Sequence, residues 1–209
     1  MWGERIFLTT FSDGELQTRC YNSANGEMLW SKGVKPERLE KFHPGDGSPA
    51  AATPAANEEC VVSYFGSFGV LCYDHDGKEL WRCPLPVALS GGSFGSGTSP
   101  IIAGKRVLLN RDQDAHSSLL ALDVATGKVA WEAARPDATG SFGTPICWKN
   151  EGVDEVVLAS SARLKGYDLS SGKERWFFER VPSFVCTTAT IGDGLLYFAG
   201  WSPGKADSP

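Results

Sequence analysis

Ala121-Leu122-Asp123-Val124-Ala125-Thr126-Gly127-Lys128-Val129-Ala130-Trp131 is the stretch that decides the fold. An apolar run meets Asp-x-x-Thr-Gly, and a short segment then ends in Trp. Asp caps such a turn by accepting bonds from nearby N–H groups, and Gly supplies the residue with positive φ. The stretch therefore reads as strand, tight turn, strand. It returns as Cys20 to Trp30, Cys72 to Trp81 and Gly166 to Trp176. Trp30, Trp81, Trp131 and Trp176 are separated by 51, 50 and 45 residues, with Gly26, Gly77, Gly127 and Gly172 in the turns. A period in this range marks a repeat architecture.

Two further segments complete each unit. One is strongly apolar: Arg5 to Thr10, Cys60 to Phe65, Arg106 to Asn110, Glu155 to Ala159 and Leu195 to Ala199. The other precedes it, is built of small residues and carries a Thr-Pro or Ser-Pro step: Ala52 to Pro54, Thr98 to Ile102 and Thr144 to Ile146. In the last copy, Cys186 to Ile191, Ala replaces Pro. Labelled A to D along the chain, with Trp on D, these segments make a four-stranded antiparallel blade. No segment has a helical period. The fold expected is an all-β β-propeller with about four blades present as a partial or open ring. The blades fall at about 1–32, 51–84, 98–134 and 143–180, with a partial blade at 186–200, in one domain over 1–209. The count starts and stops out of register with whole blades, which suggests a fragment or a ring completed by another copy.

The net charge of −5 and pI near 5.3, with both signs mixed along the chain, argue against a nucleic-acid surface. No apolar run approaches the roughly 18 residues of a membrane span. The first eight residues lack the basic region, apolar stretch and cleavage site of an export signal. The six cysteines show no Cys-x-x-Cys spacing, so zinc and thioredoxin-like chemistry are disfavoured. They read mainly as small buried apolar residues, although Cys60, Cys72 and Cys83 fall on neighbouring strands where one bridge is geometrically open.

The Ala-x-Asp-x-x-Thr-Gly-x-x-x-Trp pattern, clearest at Ala121 to Trp131, resembles the PQQ-like (quinoprotein-type) β-propeller repeat family, in its BamB-like style. The resemblance covers most of residues 5 to 200. It implies seven or eight blades in a full ring, with the Trp packed between neighbouring blades. It also implies a periplasmic or outer-membrane-associated setting. Members that oxidise alcohols stack PQQ in the central channel beside Ca²⁺, a catalytic Asp and a pair of adjacent cysteines. No adjacent cysteine pair occurs here, and no Asp matches a catalytic motif. The role expected is a non-catalytic scaffold that binds a protein or peptide, with no cofactor and with self-association through open blade edges as an accompanying expectation. The alternatives are a fragment of a PQQ- and Ca²⁺-dependent oxidoreductase and a propeller that binds carbohydrate or another small ligand.

Candidate binding residues lie on the face where D-to-A and B-to-C connections emerge, since loops on a rigid scaffold carry function. They are His43 and Asp46 in the loop 41–48, and Arg111, Asp112, Gln113, Asp114 and His116 in the loop 111–116. The loop 89–97 belongs to the same face. Asp112, Gln113 and Asp114 offer oxygen donors of the kind Ca²⁺ takes, but fewer than the six to eight it needs. The plainer reading of that loop is a solvated polar turn. His75 sits in a hairpin turn on the opposite face from His43 and His116, which disfavours a three-His metal site. Ser93-Phe94-Gly95 and Ser141-Phe142-Gly143 read as aromatic plugs between blades. A nucleophilic serine finds no Gly-x-Ser-x-Gly context.

Overall fold

A computed structural model describes residues 1–43, 45–89, 92, 94–161, 163–181 and 186–200. The first sheet holds β1 (Arg5–Ser12), β2 (Glu15–Asn22) and β3 (Met28–Val34). The second holds β4 (Ala55–Ala56), β5 (Val61–Phe65), β6 (Gly69–Tyr73) and β7 (Glu79–Pro84). The third runs through β8 (Ile101–Ala103), β9 (Arg106–Arg111), β10 (Ser118–Asp123) and β11 (Val129–Ala134). The fourth comprises β12 (Ile146–Asn150), β13 (Val153–Ser160), β14 (Arg163–Asp168) and β15 (Glu174–Glu179). A hairpin of β16 (Thr190–Gly192) and β17 (Leu195–Tyr197) follows. Every sheet is an antiparallel meander of sequence neighbours, and no α-helix occurs among the described residues. This is an all-β, open propeller of stacked blades.

Why the middle strands read as unbroken apolar runs follows from the stacking. Successive side chains of a strand point to opposite faces, and here both faces are covered by a neighbouring blade. Val107 and Leu109 of β9 pack with Val62, Tyr64 and Cys72 of the second blade. Leu108 between them points the other way, to Val156, Leu158 and Tyr167 of the fourth. The second blade likewise turns Phe65, Leu71 and Tyr73 to Phe7, Leu16 and Cys20 of the first, whose other face is open, with Leu8 exposed.

The Trp motif explains how blades are joined at their outer rim. Each C–D ladder slips by one residue, between Cys20 and Tyr21, Cys72 and Tyr73, Ala121 and Leu122, and Gly166 and Tyr167. The extra residue of this bulge is the one before Trp (Leu29, Leu80, Ala130 or Arg175), and it is exposed in every blade. A bulge re-aims the side chain that follows, and here it turns the indole towards the next blade. Trp30 Nε1 donates to the His75 carbonyl at 2.9 Å, Trp81 to Val124 at 2.8 Å and Trp131 to Leu169 at 3.1 Å. Each indole also lies on the turn glycine of that next blade, Gly77, Gly127 or Gly172. Trp176 differs: it donates to Glu155 Oε2 of its own blade at 2.6 Å.

Near the axis a second link repeats. The Thr53 N–H donates to Ser99 Oγ at 2.9 Å, and the Ser99 N–H to Thr144 Oγ1 at 3.2 Å. The inner strands begin after the proline of each Thr-Pro or Ser-Pro step, not at it, as the sequence reading had placed them. Proline has no N–H to give the ladder, so the step serves as a spacer. Its hydroxyl bonds to the preceding blade.

The turns behave as their side chains dictate. Asp74 Oδ1 accepts from the N–H groups of Asp76 and Lys78, and Asp168 Oδ1 from those of Ser170 and Ser171. Hydrogen bonds from Ser170 and Ser171 hold the Asp168 carboxyl below the usual range, and Thr126 does the same for Asp123. The cysteine expectation holds for Cys20, Cys60 and Cys72, which are buried, but Cys147 and Cys186 are exposed. Both of these lie towards the end of the stack, where fewer blades cover them.

Candidate functional site

The D-to-A loops of the first three blades meet the start of the fifth around an open groove of about 550 Å³. Asp46, Ser48 and Ala51 line one side, with Phe94, Phe142 and Cys186 completing it. Phe94 is 48% exposed. Its ring stacks on His43, with centroids 6.3 Å apart and planes 27° from parallel. His43 Nδ1 in turn lies 3.8 Å from Asp46 Oδ2. The loop closes on itself through bonds from the Asp46 and Gly47 N–H groups to the His43 carbonyl. Pro44 of this loop, and Ser90, Gly91 and Ser93 of the loop 89–97, lie outside the described residues.

The two Ser-Phe-Gly segments part company here. Phe142 is half-buried and packs on Gly97 of the preceding blade, where a Cβ would stand 2.8 Å from its ring. That is a plug between blades. Phe94 is not one: it faces solvent across the groove. Phe94 thus adds an aromatic face to a concavity with a polar rim, the general make-up of ligand-binding clefts.

What holds Phe94 there is a residue that the sequence did not single out. Glu40, in the connection after β3, is buried among the loops. Its Oε2 accepts from the Ser96 N–H at 2.8 Å and from Ser96 Oγ at 2.5 Å, while its own N–H donates to Ser67 Oγ. Burial pushes the Glu40 carboxyl above the ordinary carboxylate range, against the lowering pull of the Ser96 bonds. Gly66 leaves room for this pair, since a Cβ there would stand 2.4 Å from Glu40 Oε2. Nothing in the sequence around Glu40 marks it, because its partner is 56 residues away.

The 111–116 loop turns inward instead of outward, which overturns its reading as a solvated turn. Asp112 and Gln113 are buried, and the Asp112 and Arg135 side chains are fully enclosed. Arg135 grips Asp112 with two parallel bonds, Nε to Oδ1 at 2.7 Å and Nη2 to Oδ2 at 3.1 Å, and also donates to the Tyr167 hydroxyl. Burial raises the Asp112 carboxyl, with Arg135 opposing. Gln113 Oε1 accepts from the Leu89 N–H, and Arg111 Nη2 donates to the Pro86 carbonyl. These side chains fasten the second blade's D-to-A segment to the third blade. Asp114, Ala115 and His116 stay exposed, His116 with a φ of 60°. The structure thus joins His43 and Asp46 to the groove and sends Arg111, Asp112 and Gln113 elsewhere. An enclosed cavity beneath Tyr64, Ser96 and Arg111 measures only about 20 Å³, too small for a ligand.

His75 remains on the opposite face, its Nε2 2.9 Å from the Asn57 carbonyl. Among the described residues, no three His, Cys, Asp or Glu side chains converge as a metal site requires. Both oxygens of Asp112, the donor the calcium reading relied on, face Arg135. Asp112 therefore has neither carboxylate oxygen turned to a cation site. Trp148 meets Trp176 edge-on at 6.3 Å.

Blades of this geometry, stacked through a Trp-to-turn lock, define the class of protein: a propeller of quinoprotein-type repeats. The profile of the family described as outer membrane protein assembly factor BamB matches residues 12–179, and the chain belongs to that family. Among solved structures, BamB from Moraxella catarrhalis superposes with a TM-score of 0.64 at 15% identity, covering 97% of this chain and 62% of that one. A europium-containing methanol dehydrogenase aligns with a TM-score of 0.63 at 12% identity, over 85% of this chain and 40% of its own. The quinohemoprotein alcohol dehydrogenase from Comamonas testosteroni gives 0.56 at 12% identity, over 90% and 38%. The chain therefore spans less than two thirds of the length of each. Comparison with curated proteins returns no match.

Proposed function

We propose that this chain is a non-catalytic binding scaffold whose loop-face groove receives an aromatic or aliphatic side chain from an extended peptide or protein segment. The observation that carries the reading is Phe94, exposed beside Phe142, stacked on His43 and rimmed by Asp46 and Ser48. An apolar anchor seated in a concavity, with polar groups around it, is how hot spots in interfaces are built. Membership of the BamB family supports a protein partner and a setting at the outer membrane or in the periplasm. Among the described residues no helix is long and apolar enough to cross a membrane. Self-association through the inner edge of β1, which among the described residues is met only by the Trp2–Arg5 bridge, is part of the same proposal, and a solution mass near twice 22.5 kDa would support it.

Panning a random peptide library against the native protein and a Phe94→Ser variant in parallel tests the groove. Enriched peptides should share an aromatic or branched aliphatic residue and lose at least about tenfold in affinity against the variant, as expected for a hot spot worth more than about 1.4 kcal/mol. Equal binding by the two proteins sinks the assignment. Alcohol or sugar oxidation in a dye-linked assay with added PQQ and Ca²⁺ would overturn the non-catalytic reading.

A further inference from the structure

We propose that two copies of this chain dock head to tail, with Trp176 of one copy locking onto the turn from Asn22 to Gly26 of the other. Docking of this kind rests on the self-association proposed above and gives it a surface. Each rim lock within the chain joins an indole to a turn of fixed form. The residue after the turn's Asp offers its carbonyl (His75, Val124 or Leu169), and the turn glycine lies under the ring. Three locks use three indoles and three turns, which leaves one of each. Trp176 folds back over Gly166 of its own blade and donates to Glu155. The remaining turn has the same form as the others: the Gly26 N–H bonds back to the Asn22 carbonyl, as Gly127 does to Asp123 and Gly172 to Asp168. Its φ of 73° stands beside 83°, 68° and 72° at Gly77, Gly127 and Gly172. Among the described residues, nothing lies within 4 Å of where a Gly26 Cβ would stand. Ser23 holds the place of the accepting carbonyl.

The faces behind these two halves match as well. Register pairs Ile6 with Tyr21, as it pairs Val61 with Tyr73, Val107 with Leu122 and Val156 with Tyr167. In the second, third and fourth blades this pair is buried under the preceding blade. Ile6 and Tyr21 are only partly covered, and Leu8, on their face by alternation, is 46% exposed. At the other end of the stack, Phe178 lies two residues beyond Trp176 and shares its face. It is 60% exposed, whereas Phe177 on the opposite face has the Arg163 guanidinium over its ring. Leu196 and Phe198 pack on Val157 and Leu164, so this face of the fourth blade already accepts the second strand of a blade. β17 and the other copy's β1 claim that one place, and docking displaces β17. The hairpin it leaves has three residue pairs, with Ile191, Leu195 and Tyr197 exposed, while β1 offers eight residues. β16 is then left beside the inner edge of that β1. Each copy carries both halves of the lock, so two copies close on each other through two equivalent contacts.

Sedimentation of the full chain over a range of concentrations, beside Leu8→Glu and Phe178→Glu variants, tests the docking. Both side chains are exposed in the single chain, so neither change enters its core. The native chain should approach twice 22.5 kDa as concentration rises. Each variant alone should lose at least about tenfold in association constant, because a charge enters both apolar contacts. An equimolar mixture of the two variants should associate more tightly than either by itself, since one of its two contacts then joins unaltered faces. A native chain that stays monomeric at every concentration overturns the self-association and the docking together. A dimer that Phe178→Glu leaves intact, or a mixture no tighter than the single variants, keeps the self-association and overturns the docking. Hydrogen exchange in β17 should speed up as the dimer forms, and unchanged exchange there overturns the displacement.

Discussion

Gly127 lies under Trp81 so closely that a Cβ on it would stand 2.4 Å from the indole ring. The φ of Gly127, 68°, is one that residues with a Cβ adopt at a cost of roughly 1–2 kcal/mol. Two independent demands thus fall on one residue. Gly26 has the matching conformation, with φ of 73°, but nothing within 4 Å of the built Cβ. Gly127→Ala should therefore cost about 2–5 kcal/mol, the left-handed backbone plus overpacking. Gly26→Ala should cost only the backbone part, about 1–2 kcal/mol. Urea unfolding of both variants checks this, and equal losses would show that the indole contact contributes nothing.

The Asp112–Arg135 pair makes a different kind of demand. Both side chains are out of reach of water, so removing one partner leaves the other charge uncompensated. Arg135→Met should destabilise by about 3–5 kcal/mol. Adding Asp112→Leu to that variant should restore part of the loss, because an apolar pair replaces an ionic one without stranding a charge. A double variant as unstable as the sum of the two singles would refute the coupling.

These residues also show what the sequence could and could not disclose. The turn and the Trp are local chemistry written four times, so the outer hairpin of each blade was legible at residues 121 to 131 and its copies, whereas the bulge before the Trp was not. The role of Asp112 was not, since its partner lies 23 residues on, in a connection with no repeat pattern of its own. The loop-face assignment brought His43 and Asp46 to the groove. Phe94 was misread because it shares the Ser-Phe-Gly triplet of Phe142 ahead of an inner strand. The difference between them lies in what each ring meets: Phe142 lies on Gly97, while Phe94 stacks on the exposed His43. Glu40 illustrates the same limit, as an acid in a polar run whose burial is set by the loop that folds over it.

Glu40 gives a pH dependence whose sign is fixed by its environment. Its folded pKa is raised by burial, so the native state holds the proton more tightly than the unfolded chain. The stabilisation is complete below the ordinary carboxylate pKa and is lost as pH rises through the higher native value. Glu40→Gln keeps a carbonyl acceptor for the Ser96 N–H and removes the charge. The variant should unfold at a higher temperature than the native protein at pH 8, with the difference closing by pH 4. A difference that does not change with pH would mean that burial does not raise the Glu40 carboxyl.

The inner ladder yields the last expectation. Thr144 Oγ1 is the acceptor for the Ser99 N–H, and Ser99 Oγ is the acceptor for Thr53. Valine has the shape of threonine but no oxygen, so Thr144→Val removes the acceptor and leaves the Ser99 N–H, which is only partly buried, without it. The expected cost is about 1 kcal/mol, within the range for a lost neutral hydrogen bond. Thr139→Val serves as the comparison, because Thr139 is exposed and contributes only its backbone carbonyl, to Ser161 Oγ. That control should stay within about 0.5 kcal/mol of the native protein. If the two variants unfold alike, the hydroxyl at the Thr-Pro step does not join the blades, which are then held by the rim locks at Trp30, Trp81 and Trp131 and by the apolar cores they share.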